Sequence, residues 1–451
     1  MHVSARPGQR RSIVVAVIGV VGASVISMAI TGLNGALALS AIAVLVIAST
    51  SVAIVARSGL QGLVSVLIFG AATLIPLNGI RISESVSGSD VLLLLASTIA
   101  AFQYLTSPTL RQWDLSPVEP SVWGGILLCL GALTGSLFSG DVTGSLISII
   151  KVLIVAVILP ILFAFWNPSP FMIRAVVIVW TISVSLNSLL AVFGMNYNPY
   201  TGRSRALTLH PNHLALVAVI ALGFALGLWL SSTRIEAKAL WIGSGLFSLF
   251  GIYISGSRAG LIGVFAAMMI FSITLRNWKV ILWLLSLAAS LLLSTTFLQG
   301  IFSPESAVAR LLGASGSGSA SDEGRTDALR EGLLEVSHHL FTGIGFAGTN
   351  AYHNLPLQIL AATGIVGFCG FALIVWTYLC KPVVQGLQGY GISDQRFLAG
   401  LLAAYGGFLA ADLFQNAIWE RFAWFPVALI AVALWSYRRP ILPHGSDVSS
   451  A

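Results

Sequence analysis

The feature that most constrains this chain is the recurrence of long apolar runs over almost its whole length. A helical run of roughly 20 apolar residues matches the hydrocarbon thickness of a bilayer. Charged residues make up only 9% of the chain, against about a quarter in soluble domains, so water is not its main solvent. The runs are apolar throughout, whereas the strands of a membrane β-barrel alternate in polarity. We therefore predict an all-α fold, a polytopic helical bundle in a membrane.

Hydropathy along the chain predicts about 12–14 transmembrane helices. The first run is kept as a helix, because a second run follows too closely for a cleaved signal peptide. The expected spans lie near residues 13–32, 36–56, 60–76, 90–107, 121–140, 145–165, 171–193, 210–230, 239–255, 258–275, 279–298, 355–380, 397–413 and 422–437.

The distribution of arginine and lysine predicts the orientation of the bundle. With both termini in the cytoplasm, most basic residues fall in cytoplasmic loops, as they do in most membrane proteins. The net charge of +7 then follows from topology, and nucleic acid is not needed to explain it. We predict a multi-pass protein of the plasma (inner) membrane.

The longest segment without a predicted span, residues 299–354, is predicted to be an extracytoplasmic loop. Its Gly/Ser/Ala-rich part, 314–322, is expected to be flexible. Residues 326–341 are expected to form an amphipathic helix, because Leu329, Leu333, Val336 and Leu340 share one stripe. Around this loop we divide the chain into an N-terminal transmembrane bundle (1–200), transmembrane helices with arginine motifs (201–298), the loop (299–354), and C-terminal helices with a short cytoplasmic tail (355–451).

His353 and Asn354 form the first polar cluster with a chemical interpretation. Asn354 suits a helix N-cap and Pro356 the first turn, so a helix should begin here. The positive end of that helix favours a neutral imidazole, the form that a general base needs. Gly364 and Gly367 fall near the stripe of His353 and allow close helix packing below it. The alternative is a polar group at the membrane interface.

Two further clusters precede predicted helices in the same way. Arg258 lies among glycines and serines in 255–260, which allows close approach of an anion. Arg203, Arg205, His210 and Asn212 lie before the helix expected at 210–230. For each cluster the alternative is interfacial polar residues with no ligand.

In the predicted topology, all three helices run from the outer side to the inner side. Their positive ends therefore face outward, and with Arg325 from the long loop they predict an outward-facing anion pocket if they converge. Asp412 and the pair Glu420-Arg421 flank a short outer loop; they could reach the same pocket, but they are expected to be solvated. The chain has no Walker motif and no dinucleotide-binding fingerprint, so ATP-driven function is not expected.

At these residues the chain resembles the O-antigen ligase and O-antigen polymerase superfamily. His353-Asn354, nine further residues and the Gly364 to Gly367 segment fit its pattern. Three further segments are similar to its arginine motif, its long extracytoplasmic loop and a recurring element: Gly256 to Gly263, Gly324-Arg325 with 343–345, and Leu209 to Ala215. The resemblance extends over residues 200–437.

The resemblance implies a metal-independent glycosyltransferase of the cell envelope that uses no cofactor. Its donor would be a glycan on a polyprenyl diphosphate and its acceptor a glycan or lipid-glycan, within membrane lipids and without nucleic acid. Arg258 and Arg325 would bind the diphosphate, and His353 would be the base or would orient the acceptor. The residues expected to bind substrate are Arg203, Arg205, His210, Asn212, Asn354 and Arg330.

Two other interpretations remain open at this point. An exporter or flippase of a lipid-linked or anionic solute also needs an outward basic cavity, but it should show basic residues along an inward path. Lys151 is the single candidate within a predicted span. A peptidoglycan-type polymerase would place a catalytic acid in an outer loop, for which Glu331 or Asp327 are available. Ligase and polymerase differ only in the acceptor, so the residues do not separate them.

Overall fold

The computed structural model describes residues 59–82, 86–106, 114–198, 201–277, 279, 307–311, 316–349 and 351–438. Within these residues the named secondary-structure elements are helices, apart from a small hairpin. Its strands, β1 (Tyr197–Asn198) and β2 (Arg203–Ser204), have two residues each. The helices are α1 (Gly59–Leu77), α2 (Gly88–Thr106), α3 (Glu119–Ser136), α4 (Val142–Trp166), α5 (Pro170–Val192), α6 (Pro211–Ser231), α7 (Ile235–Ser255), α8 (Arg258–Thr274), α9 (Ala307–Leu311), α10 (Gly316–His339), α11 (Leu355–Gln385), α12 (Ile392–Asp412) and α13 (Arg421–Ser436).

Eleven of the predicted spans correspond to helices of the structure, with ends that differ by a few residues. Seven of these helices, α1, α2, α4, α5, α6, α7 and α11, are long and apolar enough to cross a membrane, and α8 and α13 are shorter apolar helices. The predicted spans 13–32, 36–56 and 279–298 lie outside the described residues. The all-α prediction is confirmed for the part of the chain that the structure describes.

Helix starts are set by polar caps in the sequence. Asp141 and Ser169 each accept a hydrogen bond from the backbone N–H three residues on, at 2.9 and 3.4 Å. Asn354 does the same for Leu357, at 2.9 Å, and Pro356 occupies the first turn. An N-terminal turn has no internal partners for its N–H groups, so such caps define where a helix begins. The predicted N-cap at Asn354 is confirmed.

The centre of the bundle is the packing of α6 against α12. Both helices are buried along most of their length, and small residues let their backbones approach closely. A Cβ added to Gly223 would lie 2.5 Å from the backbone of Ala404, and one added to Gly400 would lie 2.5 Å from Gly227. These two helices carry His210 and Asp412 at the same end, so their contact determines the relative position of polar groups there.

A second glycine contact joins α3 to α11. A Cβ added to Gly131 would lie 2.3 Å from the Thr363 carbonyl and 2.7 Å from the Gly367 amide. Gly124 and Gly370 make the same kind of contact further along the two helices. Gly367 therefore allows close helix packing, as predicted, and the partner is α3.

The structure corrects the prediction of a continuous stripe from His353 to Gly367. At Gly364 the backbone leaves helical geometry, with φ 59° and ψ −168°, and α11 is broken there. The segment after α10 forms backbone hydrogen bonds with α11 around this break. Ile344 N donates to Ala361 O (2.9 Å) and Gly345 N to Ala362 O (2.9 Å). In the other direction, Ile365 N donates to Leu340 O (2.8 Å). The long loop is therefore anchored by backbone hydrogen bonds inside the bundle.

Helix α10 begins earlier than predicted and packs through a different face. Residues 316–322 are helical, so the expectation of a flexible segment is wrong there. Gly332 is buried, and a Cβ on it would lie 2.8 Å from Leu357 and 2.9 Å from Tyr352. The predicted apolar stripe remains partly exposed, with Leu333 at 60%. Backbone approach at a glycine positions this helix, so the apolar stripe was a poor guide to its buried face.

Candidate active site

The start of α6 holds a group of polar residues at one end of the bundle. His210 is the N-cap, and its Nδ1 accepts a hydrogen bond from Asn212 N (3.1 Å). Arg203 donates from Nε to Ser255 O (2.6 Å) and from its terminal nitrogen to Asn212 Oδ1. Asn212 in turn donates to Gln415 Oε1 (2.8 Å), in the loop between α12 and α13. Arg203 therefore ties the end of α7 to the start of α6.

Arg258 is the first residue of α8, directly after a tight turn. Gly256 adopts a left-handed conformation (φ 65°) that lets α7 end and α8 begin within three residues. Arg310, which is buried in α9, donates to Gly256 O (3.1 Å). A Cβ added to Gly260 would lie 2.9 Å from Ala215, so the starts of α8 and α6 pack against each other.

The start of α11 presents His353 in a strained backbone. Its φ is 52°, a region that non-glycine residues rarely occupy. Asn354 Nδ2 donates to Leu413 O (3.0 Å) while its Oδ1 caps the helix. Strain of this kind costs of the order of 1–3 kcal/mol and is found preferentially at functional sites.

Electrostatic interactions connect His353 with His210 and with the long loop. Both imidazoles keep part of their surface open to solvent. Burial of the remainder lowers the pKa of His210 to about 4, and the positive charge of Arg203 adds to this, followed by smaller effects of His213, His353 and Arg205. Burial also lowers the pKa of His353 below its ordinary value, with the Arg325 guanidinium as the second cause. Both histidines are therefore neutral at pH 7, the form expected of a proton acceptor. The sequence predicted a contribution from the helix dipole, and burial and Arg325 also lower the pKa of His353.

The structure packs the start of α8 against the start of α6, and the imidazoles at the starts of α6 and α11 interact electrostatically. A cavity shared by all three helix starts stays a prediction. Hydrogen bonds link Arg203, Asn212 and His210. His353 joins them through its electrostatic effect on His210, and Arg325 through its effect on His353. Arg205 donates to Leu209 O (3.2 Å) and is a more peripheral member. Arg330 lies on the exposed side of α10. The catalytic and substrate-binding roles of all these residues stay predictions.

Sequence reasoning missed a buried hub at the turn after α1. Asn78 donates to Glu420 Oε2 (2.7 Å) and to His213 Nδ1 (2.9 Å), and its Oδ1 accepts from Leu209 N (3.0 Å). It therefore holds the segment just before His210 against α13. A lone asparagine after an apolar run carries no pattern that marks such a role.

The expectation that Asp412 and the Glu420-Arg421 pair are solvated is wrong. Asp412 is fully buried, and Glu420 is 9% exposed. Arg421 donates to both carboxylate oxygens of Asp90, from Nε to Oδ1 and from a terminal nitrogen to Oδ2 (2.7 Å). Charges in a loop between two spans were treated as surface groups, but this loop folds back onto the bundle. The buried carboxyl of Asp412 faces the backbone amide of Ala417.

No three His, Cys, Asp or Glu side chains converge in a way suited to a metal ion within the residues that the structure describes. Metal independence stays a prediction. The arrangement found, neutral imidazoles beside arginines at three helix N-termini, suits binding of an anion beside a proton acceptor.

The helices and this site define a multi-pass helical membrane protein with a polar site at one end of the bundle. Residues 243–372 match the family model described as O-antigen ligase, and this match supports membership of the chain in the O-antigen ligase and polymerase superfamily. The matched segment is less than a third of the chain. It contains Arg258, Arg325 and His353, whereas Arg203 and His210 precede it. No curated protein matches the chain.

The matched family model supports, in general terms, a cell-envelope glycan ligase or polymerase. Enzymes of this kind transfer glycosyl groups and act on lipid-linked glycans within a membrane. The resemblance expected from the residues is confirmed at this level.

Proposed function

We propose that this protein transfers glycan units from a polyprenyl diphosphate donor to a glycan or lipid-glycan acceptor on the extracytoplasmic face of the plasma membrane. The observation that supports the proposal is the packing of the α8 start, which carries Arg258, against the α6 start, which carries His210. The electrostatic effects of His353 on His210 and of Arg325 on His353 are consistent with it.

In the proposed reaction the acceptor hydroxyl attacks the anomeric carbon of the donor sugar, and the polyprenyl diphosphate leaves with the bonding electron pair. Charge develops on the diphosphate oxygens, so fixed cations lower the barrier more than an acid would. Arg258 and Arg325 are proposed to bind the diphosphate. Their planar guanidinium groups bind phosphate oxygens in pairs.

His353 is proposed to receive the proton of the acceptor hydroxyl as the new glycosidic bond forms. The lowered pKa keeps its imidazole neutral, and Arg325, whose charge contributes to this shift, is also the proposed ligand of the donor diphosphate. In this proposal His353 serves the acceptor and the neighbouring Arg325 serves the donor. A base placed in this way contributes about 10²–10⁴-fold to the rate.

A groove between α2 and α4 supports a lipid-linked donor. It has a volume of about 390 Å³ and mostly apolar walls, and it reaches Trp419 and Arg421 at the site end of the bundle. Trp419 stacks edge-on against Phe346, at 4.6 Å between ring centroids, in the segment that follows α10. A polyprenyl chain in this groove would leave its diphosphate near the polar end. Lys151 also lines this groove.

The test is transfer by the purified protein in detergent, with a polyprenyl-diphosphate glycan and a candidate acceptor. Detergent removes the barrier that a flippase works across, so a product in micelles supports transfer and its absence favours the exporter. Arg258→Ala, Arg325→Ala and His353→Ala are each expected to lower the rate at least about a hundredfold. His338→Ala, an exposed histidine on α10, is the matched control and should behave as wild type. Full activity of His353→Ala would remove the imidazole from the mechanism.

A further inference from the structure

A second cavity lies at the end of the bundle opposite His353. It is bounded by the segment before and at the start of α3, the last turns of α11 and the end of α13, and its volume is about 380 Å³. Its inner walls are largely apolar and include Pro382, Ala431, Leu434 and Trp435. It shares no lining residue with the candidate active site.

The mouth of this cavity is positively charged. Lys381 and Arg438 line it, and both are exposed. Arg276 lies beside it, because a Cβ added to the lining residue Gly386 would be 3.7 Å from the Arg276 guanidinium. No aspartate or glutamate is among the lining residues. Two carboxylates lie just outside that set: Asp114 accepts hydrogen bonds from the lining residue Ser116, and Glu119 lies within electrostatic range of Tyr378.

The walls are held by specific hydrogen bonds. Tyr378 Oη donates to Pro117 O (2.9 Å) and accepts from Ser121 N (3.3 Å), which ties α11 to the start of α3. Tyr390 Oη donates to Leu434 O (2.9 Å), and the Arg438 guanidinium lies over the Tyr390 ring at 5.4 Å. Tyr378 belongs to a π-helical turn, Trp376–Cys380, a distortion often found at functional sites.

The surface next to the cavity is apolar. Trp376 and Val384 on α11 are 56% and 70% exposed. A ligand for this site therefore needs an anionic group at the mouth and an apolar chain that extends along α11. Basic pockets between helix ends at headgroup level bind anionic lipids for this reason.

We propose that this cavity binds an anionic phospholipid, with its phosphate between Lys381 and Arg438 and an acyl chain against Trp435 and the outer face of α11. The proposal does not depend on the transfer reaction. It assigns the lipid to the leaflet opposite the candidate active site.

The test is native mass spectrometry of the full chain in detergent with equal amounts of phosphatidylglycerol and phosphatidylcholine. Each cation near a lipid phosphate contributes about 1 kcal/mol, so Lys381→Gln with Arg438→Gln should weaken phosphatidylglycerol binding about thirtyfold. Phosphatidylcholine binding should be weak throughout and unchanged. Gln385→Glu, which adds a negative charge to the lining, should also weaken phosphatidylglycerol binding.

The matched control is Arg234→Gln with Lys238→Gln, at the start of α7. It removes the same charge at the same end of the bundle, but neither residue lines the cavity. Equal losses in both double variants would overturn the proposal, because a general surface potential would then explain binding. Equal binding of the two lipids would overturn it too, as would displacement of phosphatidylglycerol by millimolar glycerol phosphate, which would indicate a soluble anion.

Discussion

The break in α11 at Gly364 is the strongest structural basis for a quantitative prediction. Its backbone, with φ 59° and ψ −168°, lies in a region that is almost restricted to glycine. A Cβ at this position would lie 2.5 Å from Phe341 O, whereas ordinary contacts begin near 3.4 Å. Gly364→Ala therefore adds backbone strain and pushes away the segment that anchors the long loop.

The expected cost has two parts. Backbone strain contributes about 1–3 kcal/mol. Displacement of Phe341 weakens one or two of the backbone hydrogen bonds through the break, each worth about 1 kcal/mol. The total loss of folding stability is about 2–5 kcal/mol, and the loop that carries Arg325 and His353 should shift with it.

Two alanine variants separate the contributions. Gly386→Ala has matching backbone angles (φ 72°, ψ 174°), and the nearest atom to the new Cβ is Arg276 at an ordinary 3.7 Å, so it reports strain alone. Gly243→Ala lies in α7, without a neighbour within 4 Å, and should be neutral or stabilising by up to about 1 kcal/mol.

The assays are thermal unfolding in detergent and glycan transfer well below the melting temperature. We expect Gly364→Ala to melt lowest, Gly386→Ala next, and Gly243→Ala at or above wild type, with transfer impaired only for Gly364→Ala. If Gly364→Ala melted together with Gly386→Ala, the contact with Phe341 would contribute no energy and would not anchor the loop.

Two further predictions concern the polar network. Arg203→Lys keeps the charge, but an ammonium group cannot bind both Ser255 and Asn212 as the planar guanidinium does. The transfer rate should therefore fall about 10–100-fold at unchanged protein yield. A transfer rate equal to wild type would show that charge alone matters. Arg325→Gln removes one of the two causes that lower the pKa of His353, so that pKa should rise toward its ordinary value and the acid limb of the pH–rate profile should move to higher pH. Because a neutral imidazole is required, activity is lost as the pH falls through this pKa, and an unmoved limb in Arg325→Gln would separate the two residues.

The helices were predictable because the bilayer imposes one simple requirement on sequence. A membrane-spanning helix needs a run of apolar residues long enough to cross, and its ends need caps or charges. Eleven spans, the cap at Asn354 and the close packing at Gly367 followed from such local patterns.

Helix faces were less predictable. The stripe of Leu329 and Leu333 was expected to pack, yet α10 packs through Gly332. In a membrane or at its surface an apolar side chain is stable on the outside, so hydrophobicity loses its power to indicate the buried face. Close backbone approach decides instead, and that depends on the partner helix.

The polar site divides in the same way. Sequence alone determined that His210, Arg258 and His353 each stand at the start of a helix, because capping and breaking residues act over three or four positions. Only the tertiary structure decided that the starts of α6 and α8 pack together and that Asn78 and Glu420 hold the start of α6 in place. Contacts between residues more than 300 positions apart arise from the packing of whole helices, and no local pattern in the chain encodes them.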